Sequence, residues 1–373
     1  MTTEADAAGP RQHPDLGTVH VRSLRASEAA RLGDAMRIAY GDTFDAPWVF
    51  DAHEVARRIS GGLLVSAIAE TDDGTLVCHA AMSFRRPHDP VGHVGQAVTL
   101  PAARGHHLFV TVKRHLVYLA RKRGLTGLYS EATAAHPYSQ RANVELGAQE
   151  TGFLLGWIPA TVANDAATGG LEAREDRRGR QSAVLFYLRT NPKPARPVYA
   201  PARHRQITHD IIAACRLHAR LADPPRRARL ERHSSLYPHV HAHHNVGVLT
   251  VTGPGADLTR AVAALRRRMF EDGLDAVYVD LPLELQASAP AAEDLEELGV
   301  SFAGIFPNSR DYGDVLRLQS LNRVVVSPAD VTVASEHGRR LLDYVLTDLA
   351  ATGHDIAAAD PLDSAAAPPG AAG

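Results

Sequence analysis

The chain has 373 residues, of which 45% are hydrophobic and 22% charged, a composition typical of a globular protein with two or three domains. Its formal net charge is −2 and no apolar run is long enough to span a bilayer, which excludes a strongly basic nucleic-acid-binding protein and an integral membrane protein. Two cysteines, Cys78 and Cys215, are too few for a disulfide framework, and the N-terminal residues lack a secretory signal. These features predict a cytoplasmic location.

The predicted elements lie between two tails. Residues 1–16 and residues 353–373 are rich in Ala, Gly, Pro and polar residues, which predicts disorder at both ends. The first elements predicted between them are a strand, two helices and two further strands, at residues 19–24, 26–38, 51–59, 63–70 and 75–84. Asp72-Asp73-Gly74 separates the last two strands and predicts a hairpin turn.

Residues 96–124 carry the clearest local pattern: a short apolar strand, a turn from Pro101 to Gly105, and an amphipathic helix from Leu108 to Gly124. The helix has one apolar face and one basic, polar face, and the latter is predicted to carry Lys113, Arg114, Arg121, Lys122 and Arg123. A strand, a glycine turn and a helix start form an anion site, because the first-turn N–H groups and the helix dipole favour a phosphate.

The next elements predicted are a strand, a helix and two strands, at residues 128–132, 139–146, 153–158 and 183–188. A polar loop at residues 159–181 joins the last two. This order predicts an α/β protein with a mixed sheet and helices on both faces.

The second part of the chain repeats features of the first. Gly124 and Tyr129 in GLTGLYSE recur as Gly273 and Tyr278 in GLDAVYVD, with Gly253 placed 20 residues before Gly273 as Arg104 is before Gly124. Leu146-Gly147 and Gly152 recur as Leu298-Gly299 and Gly304 in the same way. The spacing predicts two copies of one fold, at residues 17–190 and 201–352, with a linker at residues 191–200.

Residues 19–188 resemble the GNAT acetyltransferase superfamily. The resemblance lies in the order of elements, in VTLPAARGHHLF, where that family has a strand, a proline and R-G-x-G-x-G/A, and in HPYSQRANVELGAQETG, where its last helix ends with L-G-F. It implies two GNAT-like domains in tandem, the second one degenerate. The implied activity is transfer of an acetyl or other acyl group from acyl-CoA to a small-molecule amine by direct attack.

The resemblance also implies where acetyl-CoA or another acyl-CoA would bind. The pyrophosphate is assigned to the backbone N–H groups of residues 104–109, the pantetheine to the backbone of residues 98–100, and the thiol end to the last helix. The residues concerned are Val98, Thr99, Leu100, Arg104, Gly105, His106, His107, Leu108, Phe109, Ser139 and Asn143. His107 and Phe109 stand where the family has small residues.

Three residues are candidates for proton transfer. Glu131 ends a predicted strand near the expected site and is the first candidate for the base that accepts the amine proton, with His79 as the second. The family commonly has a tyrosine at the position of Asn143, and an asparagine side chain cannot supply a proton. Tyr138 is therefore the candidate acid for the leaving thiolate.

Other interpretations remain open from the sequence. His239, His241 and His243 alternate as zinc ligands on a strand would, but no fourth ligand is evident and a solvated strand edge is favoured, so no metal is predicted. No nucleic-acid or membrane partner is predicted, and the second copy could form a homodimer surface or wall the acceptor cleft. The alternative function is a catalytically degenerate binding or regulatory module, or another reaction in the same cleft.

Overall fold

The structure is a computed structural model that describes residues 11–42, 44, 46–160, 179–223, 230–308, 313–354 and 356. Most of the predicted C-terminal tail and most of the predicted 159–181 loop therefore lie outside the described residues, but His354 and Ile356 at the start of that tail contact Val324 and Val326. No helix among the described residues is long and apolar enough to cross a membrane.

In chain order, the elements before residue 192 are β1 Arg11–His13, β2 Gly17–Ser23, α1 Ala30–Tyr40, α2 Ala52–Ser60, β3 Leu64–Thr71, β4 Leu76–Ser83, β5 Val91–Thr99, α3 Leu108–Lys122, β6 Gly127–Thr133, α4 Tyr138–Glu145, β7 Gln149–Ile158 and β8 Gln181–Arg189. The elements after it are β9 Arg196–Val198, α5 Arg205–Cys215, β10 Ala219–Leu221, β11 Ser235–His241, β12 Val246–Gly253, α6 Leu258–Glu271, β13 Ala276–Pro282, α7 Ser288–Glu296, β14 Ser301–Phe306, β15 Val315–Leu321 and α8 Glu336–Ala351. The predicted mixed α/β fold is confirmed, since these elements build one mixed 13-stranded sheet and a two-stranded pair of β9 and β10.

The strand order of the large sheet is β1-β2-β3-β4-β5-β6-β8-β7-β14-β15-β13-β12-β11. The order β4-β5-β6-β8-β7 of the N-terminal half reappears in the C-terminal half as β11-β12-β13-β15-β14. In each half the parallel pair, β5–β6 or β12–β13, is connected through one long helix, α3 or α6. The two halves therefore share the order of elements that the repeated motifs predicted.

The two halves meet where β7 pairs antiparallel with β14, at Gly152 and Gly304. These glycines are the equivalent residues of the two repeats. A Cβ on Gly152 would lie 2.3 Å from the carbonyl oxygen of Ala303, and one on Gly304 would lie 2.5 Å from the Cα of Gly152. Only glycine allows the backbones to approach this closely.

Helices cover both faces of the N-terminal half. α3 packs on one face of the sheet, over Val77, Val94 and Leu128, while α1 and α2 pack on the other face, over Ile68 and Ala81. Over strands β7, β8 and β12 to β15 of the large sheet, helices α5 to α8 contribute to the core on one face. The cluster on the opposite face contains strand residues alone, among them Leu154, Leu185 and Tyr278.

Two predicted boundaries need correction. Arg11–His13, assigned to a disordered tail, forms a strand that pairs with residues 17–19, and residues 1–10 lie outside the described part. The predicted linker, residues 191–200, contains β9, which pairs parallel with β10. Both strands are only three residues long, too short for a period-two pattern to identify them.

Candidate active site

The parallel strands β5 and β6 separate after a short pairing. Only Val91, Gly92 and His93 of β5 pair with β6, at residues 127–129. Beyond this point β5 pairs only with β4, and β6 continues beside β8. The space between residues 94–99 of β5 and residues 130–133 of β6 is called the β5–β6 gap below.

A bulge in β5 lies at the edge of this gap. Gln96 has φ of +47°, and one residue of β4 lies opposite two residues of β5 there. Nδ1 of His79 lies 2.7 Å from the carbonyl oxygen of Gln96, and the hydroxyl of Tyr40 donates to the carbonyl of Ala97 at 2.9 Å. These contacts fix the distorted backbone. The Oε1 atom of Gln96 is buried and has no hydrogen-bond partner among the described residues.

His79 cannot serve as the base in this arrangement. It is fully buried, and because the Gln96 carbonyl can only accept, Nδ1 carries the proton and Nε2 accepts from the hydroxyl of Ser66 at 2.5 Å. Burial lowers the pKa of His79 to about 4, which keeps the ring neutral. Both ring nitrogens are occupied, so this histidine braces the bulge.

The backbone of residues 98–100 was predicted to bind pantetheine, and two of these three residues pair with β4. The N–H of Leu100 donates to the carbonyl of Val77 on β4 at 2.9 Å, and Val98 pairs with His79 on the same strand. Because extended backbone alternates its polar groups, Thr99 directs its N–H and C=O toward the gap. The hydroxyl of Thr99 contacts Sγ of Cys78 at 3.3 Å.

The turn between β5 and α3, called the 104–110 turn below, has a row of open amides. Gly105 has φ of +83°, and His107 has φ of +55° as the N-cap of α3. Within the described part of the chain, no hydrogen bond reaches the N–H groups of residues 105–110. Backbone N–H groups at a helix start with no internal partner attract an anion.

The side chains of the 104–110 turn have different surroundings. Gly105 and His107 are exposed, whereas Leu108 is buried in the core under the sheet. Nε2 of His106 lies 4.0 Å from a carboxylate oxygen of Asp15. Leu108 therefore offers only its N–H to a ligand.

A buried polar cluster lies where β5 and β6 separate. The ammonium of Lys113 on α3 donates to Oδ1 of Asn143 on α4, and the hydroxyl of Ser130 donates to the same oxygen at 3.3 Å. Lys113 is 6% exposed and Asn143 is 4% exposed. Lys113 was assigned to the polar face of the helix, but it shares a face with Val117 and Ala120, which are four and seven residues further on. That spacing is the signal that could have identified it.

The other α4 candidates lie at the helix start. Tyr138 is 46% exposed, with its ring centroid 5.3 Å from that of His136. The Oγ atom of Ser139 is buried and has no hydrogen-bond partner among the described residues. Asn143 thus lies in the polar cluster with Lys113, while the structure places Tyr138 at the surface.

Glu131 lies on the opposite face of the sheet. On β6, Ser130 pairs with Phe186 on the face that carries Lys113, and Glu131 pairs with Leu185 on the face without helices. The side chain of Glu131 is 24% exposed, and Oε2 lies 3.8 Å from Nε2 of His93. The carboxylate and the buried ammonium therefore flank the β5–β6 gap from opposite faces.

The C-terminal half extends the face that carries Glu131. The ring centroid of Tyr129 lies 6.0 Å from that of Phe306, and the guanidinium of Arg317 lies 4.1 Å from the same Phe306 ring. Arg317 forms a two-point ion pair with Asp280, at 2.6 and 2.7 Å. Glu131 thus faces a surface to which both halves contribute.

The histidine cluster does not form a metal centre in the described residues. His239 and His241 lie on β11 with ring centroids 4.6 Å apart, but His243 lies in the turn after the strand. His244 packs on Trp157, with ring centroids 4.9 Å apart. No group of three His, Cys, Asp or Glu side chains in the part described is arranged to hold a metal ion.

No protein-family model matches the chain, and no curated protein matches it. Among solved structures, the chain is similar to the ribosomal-protein-S18-alanine N-acetyltransferase from Escherichia coli, with 16% identity and a TM-score of 0.36, over 47% of this chain and 96% of that one. It is also similar to a GNAT superfamily phosphinothricin acetyltransferase from Sinorhizobium meliloti in complex with AcCoA, with 15% identity and a TM-score of 0.37, over 48% and 93% of the two chains. A third is the ribosomal-protein-S5-alanine acetyltransferase from Vibrio fischeri, with 12% identity and a TM-score of 0.37, over 50% and 100%. All three of these proteins are acetyltransferases.

Proposed function

We propose that the protein is an acyltransferase that moves an acetyl or other acyl group from acyl-CoA to an amine. The observation that carries the proposal is the β5–β6 gap, which opens beside the unpaired amides of residues 105–110. The reaction is assigned to a domain of residues 17–190. Residues 191–200 connect it to a second, degenerate domain of residues 201–352, and the acceptor is a small-molecule amine.

The acyl donor binds along the 104–110 turn and the gap. The pyrophosphate accepts hydrogen bonds from the open N–H groups, where the positive end of the α3 dipole favours negative charge. Pantetheine is a chain of amides, so it can pair with the N–H and C=O of Thr99 as an added strand would. The thioester then lies between the separated strands.

Glu131 is the proposed base. The amine approaches from the face without helices, loses a proton to the carboxylate directly or through one water, and attacks the acyl carbonyl through the gap. The bond between the amine nitrogen and the acyl carbon forms as the carbon–sulfur bond breaks, and CoA leaves as a thiolate. Tyr138 is the sequence prediction for the group that protonates this thiolate.

A CoA-binding module without transfer activity is the second candidate. The observation that favours it is Asn143, since an amide cannot give a proton to sulfur at the position where the resemblance implies a tyrosine. This candidate predicts the same binding and no thiol release.

Calorimetry and a thiol-release assay test both candidates. Acetyl-CoA and free CoA should bind the full chain below millimolar concentration, and thiol should be released with at least one member of a panel of small amines and amino acids. Glu131→Gln should keep the binding and lower the rate about 100-fold or more. Absence of binding at millimolar acetyl-CoA would remove the proposal, and binding without thiol release would leave the second candidate.

A further inference from the structure

Lys113 is a buried cation for which the proposed mechanism has no role. Its ammonium contacts the amide oxygen of Asn143, and it lies 5.3 Å from the ring centroid of Phe109. Within the described residues, no carboxylate forms an ion pair with it. A lysine in the interior is usually paired with a carboxylate, since burial of an unpaired charge is costly.

The groups that face Lys113 from the neighbouring elements are neutral. Tyr129 on β6 is the one other titratable residue that lines its cavity in the described part of the chain, and its ring lies on the opposite face beside Phe306, where burial raises the pKa of the phenol and keeps it protonated. The remaining lining residues have apolar, amide or hydroxyl side chains: Val94, Val117, Leu128, Ser130, Asn143, Leu146, Ala148, Phe186 and Leu188. Burial lowers the pKa of Lys113 to about 7, so at neutral pH the side chain can both hold and release a proton.

Space for a reacting atom adjoins the ammonium. A cavity of about 20 Å³ is lined by Lys113, Ser130 and Asn143 and by residues of β5 and β6 next to the last paired residues. This volume holds one water molecule. The cavity lies at the closed end of the β5–β6 gap, on the face opposite Glu131.

Resting on the proposed function, we propose that Lys113, in place of the surface residue Tyr138, is the catalytic acid that protonates the CoA thiolate as it leaves. When the carbon–sulfur bond breaks, its electron pair remains on sulfur, and the Lys113 ammonium transfers one proton to it. The products of this step are the CoA thiol and a neutral Lys113 amine, which regains a proton from solvent. Asn143 and Ser130 position the ammonium.

The test uses free CoA as the probe and ultraviolet absorbance of its thiolate as the signal. Neither protein thiol contributes thiolate absorbance near neutral pH, because burial raises the pKa of Cys78 to about 12 and also raises the pKa of Cys215. In the complex with the wild-type chain, the pKa of the bound CoA thiol should be at least about one unit lower than in the complex with Lys113→Met. Lys122→Met, the same change at an exposed site of the same helix, should leave the titration unchanged.

Two further variants keep the test decisive if Lys113→Met folds poorly. Asn143→Asp places a carboxylate against the ammonium, so the bound thiol should titrate at higher pH than in the wild type. Tyr138→Phe should leave the titration unchanged. In turnover, the wild-type rate should fall as pH rises through the pKa of Lys113, and Lys113→Met should lose this fall and lower kcat with little change in KM for acetyl-CoA.

Several results would overturn the inference while leaving acyl-CoA binding intact. They are equal thiol titrations in the wild type and Lys113→Met, a shift caused by Tyr138→Phe instead, or an acyl group found on Lys113 by intact-mass analysis and peptide mapping. The last result would make Lys113 an acyl acceptor. If the wild-type chain binds no CoA, the proposed function fails first, and the role of Lys113 fails with it.

Discussion

The two halves of the sheet have the same order of elements, but the parallel strands of the N-terminal half separate earlier than those of the C-terminal half. In the C-terminal half, β12 and β13 pair over five residues, from Val246 to Thr250, whereas β5 and β6 pair over three. Val262 is fully buried at the position, counted back from Gly273, that Lys113 has before Gly124. The strand order therefore does not create the gap. The side chains and backbone near the gap do.

The turns before α3 and α6 differ in backbone hydrogen bonding and in charge. In the C-terminal turn, the N–H of Gly255 donates to the hydroxyl of Ser234, and that of Ala256 donates to the carbonyl of Glu231. Asp257 is the N-cap of α6, and hydrogen bonds from His233 and Ser234 lower its pKa to about 2. That turn satisfies the amides of Gly255 and Ala256 and carries a negative charge. The amides of residues 105–110 have no such partners within the described residues.

Glu131 and Asp280 occupy equivalent positions, seven residues after Gly124 and Gly273. Asp280 is held by Arg317, while Glu131 has only the longer contact with His93. One carboxylate is committed to an internal ion pair and the other is open to a ligand. The comparison favours the N-terminal half as the place of the proposed reaction.

The largest expected effect comes from neutralising each of these two carboxylates in turn. Asp280→Asn leaves the buried guanidinium of Arg317 without its partner and should lower the free energy of unfolding by about 4 kcal/mol. Glu131→Gln should change it by less than about 1 kcal/mol, because its contact is long and partly exposed. Urea unfolding of both variants measures the difference.

A paired apolar replacement is the control for this prediction. The double variant Asp280→Leu with Arg317→Met should recover most of the loss, since an apolar pair of similar volume avoids the desolvation of two ions. Equal destabilisation by Asp280→Asn and Glu131→Gln would contradict the contrast between the halves.

The next effect concerns the contact that joins the halves. Gly152→Ala and Gly304→Ala each force a Cβ against the backbone of the other half, so each should lower the free energy of unfolding by about 3 kcal/mol. Gly124→Ala is the control, because Gly124 has φ of +75° but open space around it, and strain alone should cost about 1 kcal/mol. Thermal unfolding of the variants measures these losses of stability. Unequal losses for Gly152→Ala and Gly304→Ala would mean that the two glycines do not share one contact.

Local sequence patterns predicted the elements near the site well. The start of α3 at Leu108 is as predicted, and its end at Lys122 falls two residues short of Gly124. The helix was predictable because an amphipathic period and a glycine stop are local signals. The hairpin at residues 72–74 follows in the same way from Asp72-Asp73-Gly74. The repeated glycines also indicated the matching halves.

What the sequence did not predict depends on contacts between distant residues. Ser335 at the start of α8 donates to Glu150 on β7 at 2.7 Å, which places a C-terminal helix on a strand of the other half. The burial of Lys113 depends on Asn143, thirty residues away, and the loss of His79 as a base depends on Ser66 and the bulge at Gln96. Neither periodicity nor turn chemistry contains this information.

A smaller effect separates Lys113 from its counterpart Val262. The folded pKa of Lys113, about 7, lies below the ordinary lysine value of 10.5 because the side chain is buried, so the folded state disfavours the protonated form. Stability should therefore rise as pH increases from about 7 to about 10. Lys113→Met should be more stable than the wild type by about 2 to 3 kcal/mol at pH 6, and the gain should shrink across that window.

Unfolding by urea at several pH values measures this difference. Lys122→Met, an exposed change on the same helix, should show no pH-dependent difference from the wild type. A gain in Lys113→Met that stays constant from pH 6 to pH 10 would mean that the buried lysine keeps an ordinary pKa.

The smallest effect tests the turn itself. His107→Asp gives α3 the acidic N-cap that Asp257 gives α6, and His107→Asn is its neutral match, since both residues tolerate the left-handed conformation at φ of +55° and can cap a helix. A carboxylate beside the open amides repels a phosphate, so His107→Asp should weaken acetyl-CoA binding about 10- to 100-fold, and His107→Asn should stay within about threefold of the wild type. Calorimetry at fixed ionic strength compares the three proteins. Equal weakening by both variants would mean that the imidazole binds the ligand, and no weakening by either would mean that the phosphates lie elsewhere.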